Sequence, residues 1–363
     1  MIVIGTDTHK KSHTCAAVFA GTGQLAGELT APARKAGFAE LLDWGRGLDQ
    51  QRIWALEDCR HVSGSFERFL VASGERVVRV PPKLMGESRR GERTSGKSDP
   101  IDALAVARAA LREGPETLPA AHLDEDALEL KLLLDHREDL VRARAEDQQR
   151  LRWHLHDLWP DLELPAGCLD RIVWLDKVAR KLSRAEQGVR VRVSRELVRA
   201  IRERTRRAAE LEREIGAMVR AQAPQLLDLP GCGTLTAAKL IAETAGVARF
   251  ASDAKLARLA GVAPIPASSG NRTRLRLHRG GNRQLNCAVH RIAVTQSRIH
   301  APARDFLARK RAEGKSTREA LRCLKRHLIR RVWRLLNDSE IDRSLKTTDT
   351  QRGLSVPQFA AAT

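Results

Sequence analysis

Apolar and polar positions change their period twice along the chain. From residue 1 to about 115, short apolar runs alternate with amphipathic stretches. The run Ile2-Val3-Ile4-Gly5-Thr6-Asp7 predicts a buried strand. Thr14–Phe19 and Leu25–Thr30 predict its antiparallel neighbours, joined by a Gly21-Thr22-Gly23 turn. A helix follows over Ala36–Gly45, then a strand Arg52–Glu57, a helix near Gly64–Ser73, and a strand Arg76–Val80 that Pro81-Pro82 stops. After the polar stretch Gly86–Lys97, a helix starts at Pro100.

The period changes between about 124 and 222, where strand signals vanish. Leu130, Leu134, Arg137, Val141, Arg144, Gln148, Leu151, Leu155 and Leu158 follow alternating steps of four and three. So do Leu197, Ile201, Arg204, Ala208, Leu211, Ile215 and Met218. Both are heptad seams with polar interruptions. The first extends about 45 Å at 1.5 Å per residue, and Trp159-Pro160 breaks it. The pair predicts an antiparallel coiled-coil hairpin with an irregular, Trp174-containing tip. From Pro224 a third pattern begins. Leu229-Pro230-Gly231-Cys232-Gly233, followed by a helix over Leu235–Thr244, resembles a helix-hairpin-helix binder of DNA backbone. Gly231 and Gly233 permit a tight turn whose amides can approach a phosphate; an ordinary interhelical turn is the plainer reading. A second helix near Asp253–Ala260 ends at Gly261. Amphipathic basic helices then run to about Leu336, and a polar, mobile tail is expected after about Ile341.

The early order of three strands, helix, strand, helix, strand, helix is that of a ribonuclease-H-like sheet. Its first strand is central, which would set Asp7 beside Glu57. The expected divisions are 1–115 for this α/β domain, 116–222 for the mainly helical coiled-coil domain, 223–340 for a helical C-terminal domain and 341–363 for the tail.

Charge narrows the class of partner. The 363 residues carry a formal net charge of +19. Over Asn271–Arg334 there are 19 Lys or Arg against three acids, an excess of 19 − 3 = +16. Such a stripe is the footprint of nucleic-acid binding, with Arg272, Arg274, Arg276, Arg279 and Arg283 at its start. The six cysteines, Cys15, Cys59, Cys168, Cys232, Cys287 and Cys323, form no CxxC pair and read as free thiols. No apolar run has the length of a membrane span, and the expected location is the cytoplasm, with the nucleoid.

Four acids carry candidate chemistry: Asp7 and Glu57 at strand ends, and Asp99 and Asp102 on one helical turn. Capping and the helix dipole account for Asp99 and Asp102 alone. They do not account for Asp7 and Glu57, because an acid ending a buried strand is costly without compensation. Divalent cations would compensate all four and cut phosphodiester bonds. His9, His13, Asp58 and His61 lie nearby in sequence and read as surrounding or surface residues. Ser269, in Pro266-Ala267-Ser268-Ser269-Gly270-Asn271-Arg272, is a candidate nucleophile steadied by the following arginines, although a Ser-Gly turn is the simpler reading and Ser268 an equal hydroxyl.

Together these residues resemble the DEDD insertion-sequence transposases, the insertion-sequence one-ten family of bridge-RNA-guided recombinases. The resemblance rests on Gly5-Thr6-Asp7 with His9-Lys10, Leu56-Glu57, and Lys97-Ser98-Asp99-Pro100-Ile101-Asp102-Ala103. Leu229–Gly233, Leu259–Pro264, Ser269-Gly270 and Arg279-Gly280-Gly281-Asn282-Arg283 extend it over residues 1–335. It implies a RuvC-like domain, a coiled-coil domain and a transposase domain. It also implies Mg2+, two ions per site, held by Asp7, Glu57, Asp99 and Asp102. Ser269 would form a transient phosphoserine link with DNA. The implied partners are donor and target DNA, a structured guide (bridge) RNA, and further copies of the chain in a homo-oligomer. Two other readings stay open: a RuvC-type junction nuclease without a covalent intermediate, and a non-catalytic helix-hairpin-helix binder.

Overall fold

The computed structural model describes residues 1–57, 60–81, 84, 98–121, 124–267, 275–277 and 281–353, without the side chains of 60, 61, 277 and 341–353. The described contacts group the chain into two units. The first holds Met1–Asp124 with Ala245–Asn282, and the second holds Glu125–Thr244 with Arg283–Thr363.

The first unit is built on a five-stranded sheet of order β3-β2-β1-β4-β5. Its strands are β1 (Ile2–Thr8), β2 (Ser12–Phe19), β3 (Leu25–Pro32), β4 (Arg52–Glu57) and β5 (Val77–Val80). The first three strands are antiparallel, whereas β1, β4 and β5 run parallel. Every residue of β1 is buried, as its unbroken apolar run requires of a central strand. Alternation along the strands divides two cores. Ile2, Ile4, Trp54 and Leu56 pack with Phe38, Leu41 and Leu42 of α1 (Lys35–Leu48) and Phe66 and Leu70 of α2 (Arg60–Ala72). Val3, Ile53 and Ala55 pack on the opposite face with Ala105, Val106 and Ala107 of α3 (Asp99–Glu113). The element order and central first strand agree with the sequence reading, and the mixed α/β sheet is consistent with a ribonuclease-H-like domain.

Residues 245–282, expected within the C-terminal domain, group with this first unit. Arg249 donates to the Ala120 carbonyl at 2.9 Å, and Arg258 lies 3.8 Å from Glu113. The segment contains α8 (Asp253–Leu259) and a short antiparallel hairpin of β6 (Pro264–Pro266) and β7 (Leu275–Leu277). Its base is closed where Gly281 crosses Gly261, so tightly that a Cβ on Gly281 would lie 2.3 Å from the Gly261 Cα. The Asn282 amide bonds the Leu259 carbonyl at the same crossing.

The second unit opens with two helices of 34 residues each, α4 (Glu125–Leu158) and α6 (Val189–Gln222). They are antiparallel: Arg137 meets Glu212 at 2.7 Å, Arg144 meets Thr205 at 3.4 Å, and Arg204 pairs with Asp147. Seam residues Leu130, Leu134, Leu151, Leu155, Ile201, Ala208, Leu211 and Ile215 are buried. The polar interruptions thus pair across the hairpin or with its tip, where Gln148 donates to the Leu169 carbonyl at 3.1 Å. The tip carries α5 (Ile172–Ser183) over a core that includes Leu175, Val178 and Leu182. The remaining helices are α7 (Thr234–Thr244), α9 (Arg283–Ile299), α10 (Ala301–Ala312) and α11 (Thr317–Gly353). Within the segment expected as a mobile tail, residues to Gly353 belong to α11, and residues 354–363 lie outside the described residues. No helix among the described residues is long and apolar enough to cross a membrane. The described cysteines are all free, and Cys59 lies outside the described residues.

Candidate metal centre

Asp7 stands near the carboxyl end of β1. The parallel register pairs Thr6 with Leu56, so the next residues, Asp7 and Glu57, end adjacent strands. By strand alternation both belong to the face that carries Val3, Gly5, Ile53 and Ala55, the face covered by α3. Gly5 fixes how closely that helix approaches. A Cβ there would lie 2.1 Å from the Ala103 carbonyl oxygen and 2.3 Å from the Ala107 nitrogen. With no side chain in the way, the α3 backbone lies directly on β1. Asp99 and Asp102, in the first turn of α3, are then brought towards Asp7 at the carboxyl end of the parallel strands, where such sheets leave a crevice.

Electrostatics agree with this convergence. Burial raises the Asp7 carboxyl above the ordinary aspartate range, and the negative charges of Asp102 and Asp99 push in the same direction, against the lowering effect of His9. Asp7 and Asp102 are buried, only 7% and 6% exposed. Asp99 is exposed. It is the first residue of α3, with Ser98 at the cap position, so the reading of Asp99 as the helix cap does not hold.

His9 is the residue that the sequence reading undervalued. Its Nε2 lies 3.1 Å from Asp7 Oδ2 and 3.3 Å from Asp99 Oδ1. Ligand atoms of Asp7, His9 and Asp99 all fall within 4.8 Å of one another, a set able to hold a cation. Its signal was the spacing of two from Asp7, just past the strand end. His13, by contrast, is neither a surface residue nor a neighbour of the acids. It is 1% exposed and stacks on Phe38 at 5.5 Å, on the other face of the sheet. Burial lowers its pKa and favours the neutral ring. Asp58 and the side chain of His61 lie outside the described residues.

Known proteins resemble this chain along most of its length. A family model described as a transposase, the DEDD domain of the IS110 group, matches residues 4–160. A second, described as the transposase IS116/IS110/IS902 family, matches residues 223–308. The uncharacterized 44.8 kDa protein of insertion element IS116 from Streptomyces clavuligerus is 27% identical, over 94% of this chain and 96% of its own length. The uncharacterized 42 kDa protein of IS900 from Mycobacterium paratuberculosis is 28% identical, over 81% of this chain and 85% of its own. The 43.6 kDa protein of IS110 from Streptomyces coelicolor is 30% identical, over 67% of this chain and 71% of its own. The chain belongs to the IS110/IS116 family of insertion-element transposases. It is a DNA transposase, and DNA is its substrate.

The transposase's other candidate residues are placed unevenly. Ser268, Ser269, Gly270, Arg272, Arg274 and Arg279 lie outside the described residues; in the chain, β6 and β7 bracket all but Arg279. Arg276 on β7 and Arg283 at the start of α9 are exposed. Gly231 has φ +82°, and a Cβ on it would lie 2.9 Å from the Thr295 Cβ of α9, so packing alone requires this glycine. A Cβ on Gly233 would meet nothing within 4 Å.

Proposed function

We propose that this transposase cuts and rejoins DNA strands at one acidic centre, using a serine nucleophile and a guide RNA. The observation that carries the reading is the convergence of Asp7, Asp99 and Asp102, with Glu57 ending the adjacent strand. A buried carboxylate such as Asp7, pushed up by burial and by the charges of Asp102 and Asp99, fits a cation, because positive charge relieves both desolvation and repulsion. Asp7, Glu57, Asp99 and Asp102 would hold Mg2+, two ions in all, with His9 at the rim. Bound there, the metal supplies positive charge beside the scissile phosphate and lowers the effective pKa of an attacking hydroxyl. Asp7 and Asp102, fixed on β1 and α3, hold the centre rigid. The exposed Arg276 and Arg283, with Arg272, Arg274 and Arg279, attract the phosphate backbone, and Gly233 leaves room for a phosphate at the Leu229–Gly233 turn.

Ser269 is the nucleophile in this reading. Its Oγ bonds to phosphorus, the bond from phosphorus to the departing deoxyribose oxygen breaks, and the serine proton passes to solvent while the departing oxygen gains one. Attack by a strand-end hydroxyl then reverses these changes on the new strand and releases Ser269. A phosphoserine link suits recombination, since hydrolysis would discard the strand end. The functional modules are a RuvC-like part (1–115), a coiled-coil part (116–222) and a transposase part with a helix-hairpin-helix-like motif (223–340). They act in a cytoplasmic, nucleoid-associated homo-oligomer with donor DNA, target DNA and a structured RNA encoded by the element.

The test is to trap the reaction on suicide DNA, digest with protease and map the nucleotide-bearing peptide. The adduct is expected on Ser269, lost in Ser269→Ala and kept in Ser268→Ala. An adduct on Ser268 moves the nucleophile by one residue. Efficient cleavage without any adduct defeats the serine mechanism and leaves hydrolysis by the acidic centre alone.

A further inference from the structure

We propose that the tip of the α4–α6 hairpin is a second nucleic-acid-binding surface, gripping the sugar–phosphate backbone of a strand in a pocket between Trp159 and the cations of α5. The inference rests on the reading of the chain as a nucleic-acid enzyme, and it adds a surface far in sequence from the basic C-terminal stripe.

The pocket has a volume of about 500 Å³ and is lined by Trp159, Lys177, Arg180, Lys181, Arg184 and Ala185. It is a shallow hollow open to solvent, larger than a lone ion needs and suited to a chain that passes across it. Lys177, Arg180, Lys181 and Arg184 recur at steps of three, one and three, so they share one helical face. The opposite face of α5 buries Leu175, Val178 and Leu182. None of the four cations forms an ion pair among the described residues; Arg180 donates only to the Asp176 backbone carbonyl, at 3.3 Å. Other hairpin arginines are neutralised: Arg202 by Asp176, Arg204 by Asp147 and Arg137 by Glu212.

Aromatic rings hold two of these cations in place without cancelling their charge. Lys177 Nζ lies 4.6 Å over the Trp174 ring, and Lys181 Nζ lies 4.6 Å over the Trp159 ring. Three of the six tryptophans, Trp153, Trp159 and Trp174, belong to this end of the hairpin, and Trp153 is 69% exposed. Residues 171–207 carry 13 Lys or Arg against four acids, an excess of 13 − 4 = +9. A solvated helix face would extend its lysines into water. Here Lys177 and Lys181 lie over rings beside the pocket, and the four positive charges are left unpaired among the described residues. A regularly spaced polyanion pairs them and releases counterions on binding.

The experiment uses the full chain and a variant combining Lys177→Gln, Arg180→Gln, Lys181→Gln and Arg184→Gln. All four side chains are exposed, so the fold is expected to survive, as a circular-dichroism melt checks. Binding of a labelled RNA strand and of duplex DNA is measured against salt. If each cation meets one phosphate, the slope of log K against log salt becomes shallower by about 2.8 for a single strand or about 3.6 for a duplex. The change is expected with the single strand, and a change confined to duplex DNA overturns the single-strand occupant. Unchanged slopes with both ligands overturn the inference while leaving the strand-cutting reading intact; a wild-type protein that binds neither nucleic acid overturns both. As a second readout, bound nucleic acid should protect Lys177 and Lys181 from acylation in the wild-type protein, and equal labelling with and without it overturns the proposal.

Discussion

Gly5→Ala is the substitution that most sharply probes how the acidic centre is assembled. The added methyl would lie 2.1 Å from the Ala103 carbonyl oxygen, about 1.3 Å short of the 3.4 Å at which ordinary contact begins. The obstructing atoms are helix backbone, which cannot rotate away. Either α3 withdraws from β1 by about an ångström, or the sheet distorts beneath it. Overpacking of this kind costs about 1–3 kcal/mol, and a rigid backbone obstacle puts Gly5→Ala at the upper end. For a unit of this size the melting temperature should fall by roughly 6–12 °C. Activity should suffer more. Displacing Asp99 and Asp102 by about 1 Å relative to Asp7 is expected to lower strand cleavage on the order of 100-fold. Scanning calorimetry and a cleavage assay on element-end DNA measure the two effects. Gly47→Ala is the control: a Cβ on Gly47, in the last turn of α1, would meet nothing within 4 Å. It should be neutral or stabilising by up to about 1 kcal/mol. A Gly5→Ala protein with wild-type melting and cleavage would refute the close packing of α3 on β1 and the placement argued from it.

Two further outcomes follow from the charges at the centre. The Asp7 pKa is raised on folding, so its protonated form supports the fold; that contribution is whole below the ordinary value near 3.8 and is lost as pH rises through the raised folded value. In chelator, Asp7→Asn should therefore melt higher than wild type at neutral pH, with the gap closing as pH falls through the raised value and gone once it reaches about 3.8, and added Mn2+ should stabilise wild type more than the variant; a gap that is constant with pH would remove Asp7 from the buried acidic cluster. His9→Ala should lower cleavage by roughly 10- to 100-fold and raise the metal concentration needed for half-maximal rate, as loss of an orienting partner does; cleavage abolished at every metal concentration would instead make His9 an obligatory ligand.

Local pattern carried much of the first unit. The apolar runs ending at Asp7 and Glu57, and the Ser98-Asp99-Pro100 helix start, are contiguous signals that needed no tertiary information. Their order was enough to place β1 at the centre of the sheet. His9 and His13 show where such reading stops. Both lie within six residues of Asp7, yet one bridges two carboxylates and the other is buried among Phe38 and Phe66, because the intervening turn and the strand face decide the direction of each. The 245–282 segment is tied to the N-terminal unit by polar contacts, Arg249 with the Ala120 carbonyl and Arg258 with Glu113, which leave no hydrophobic signature in the sequence. The heptad seams gave the hairpin but drew attention to its interior. The tip is predicted only as irregular and Trp174-containing; the cationic face of α5 is polar and gives no apolar period to mark it.

Whether Asp7, Glu57, Asp99 and Asp102 act as a single metal-dependent cutting centre is decided by cleavage of element-end DNA across a Mg2+ titration, with wild type and Asp102→Asn compared at matched DNA binding. Wild type is expected to be inactive in chelator and to recover saturably with Mg2+, while Asp102→Asn binds DNA normally and stays on the order of 10²–10³-fold slower at every concentration. Cleavage by wild type in chelator, or by Asp102→Asn at the wild-type rate, would contradict the assignment.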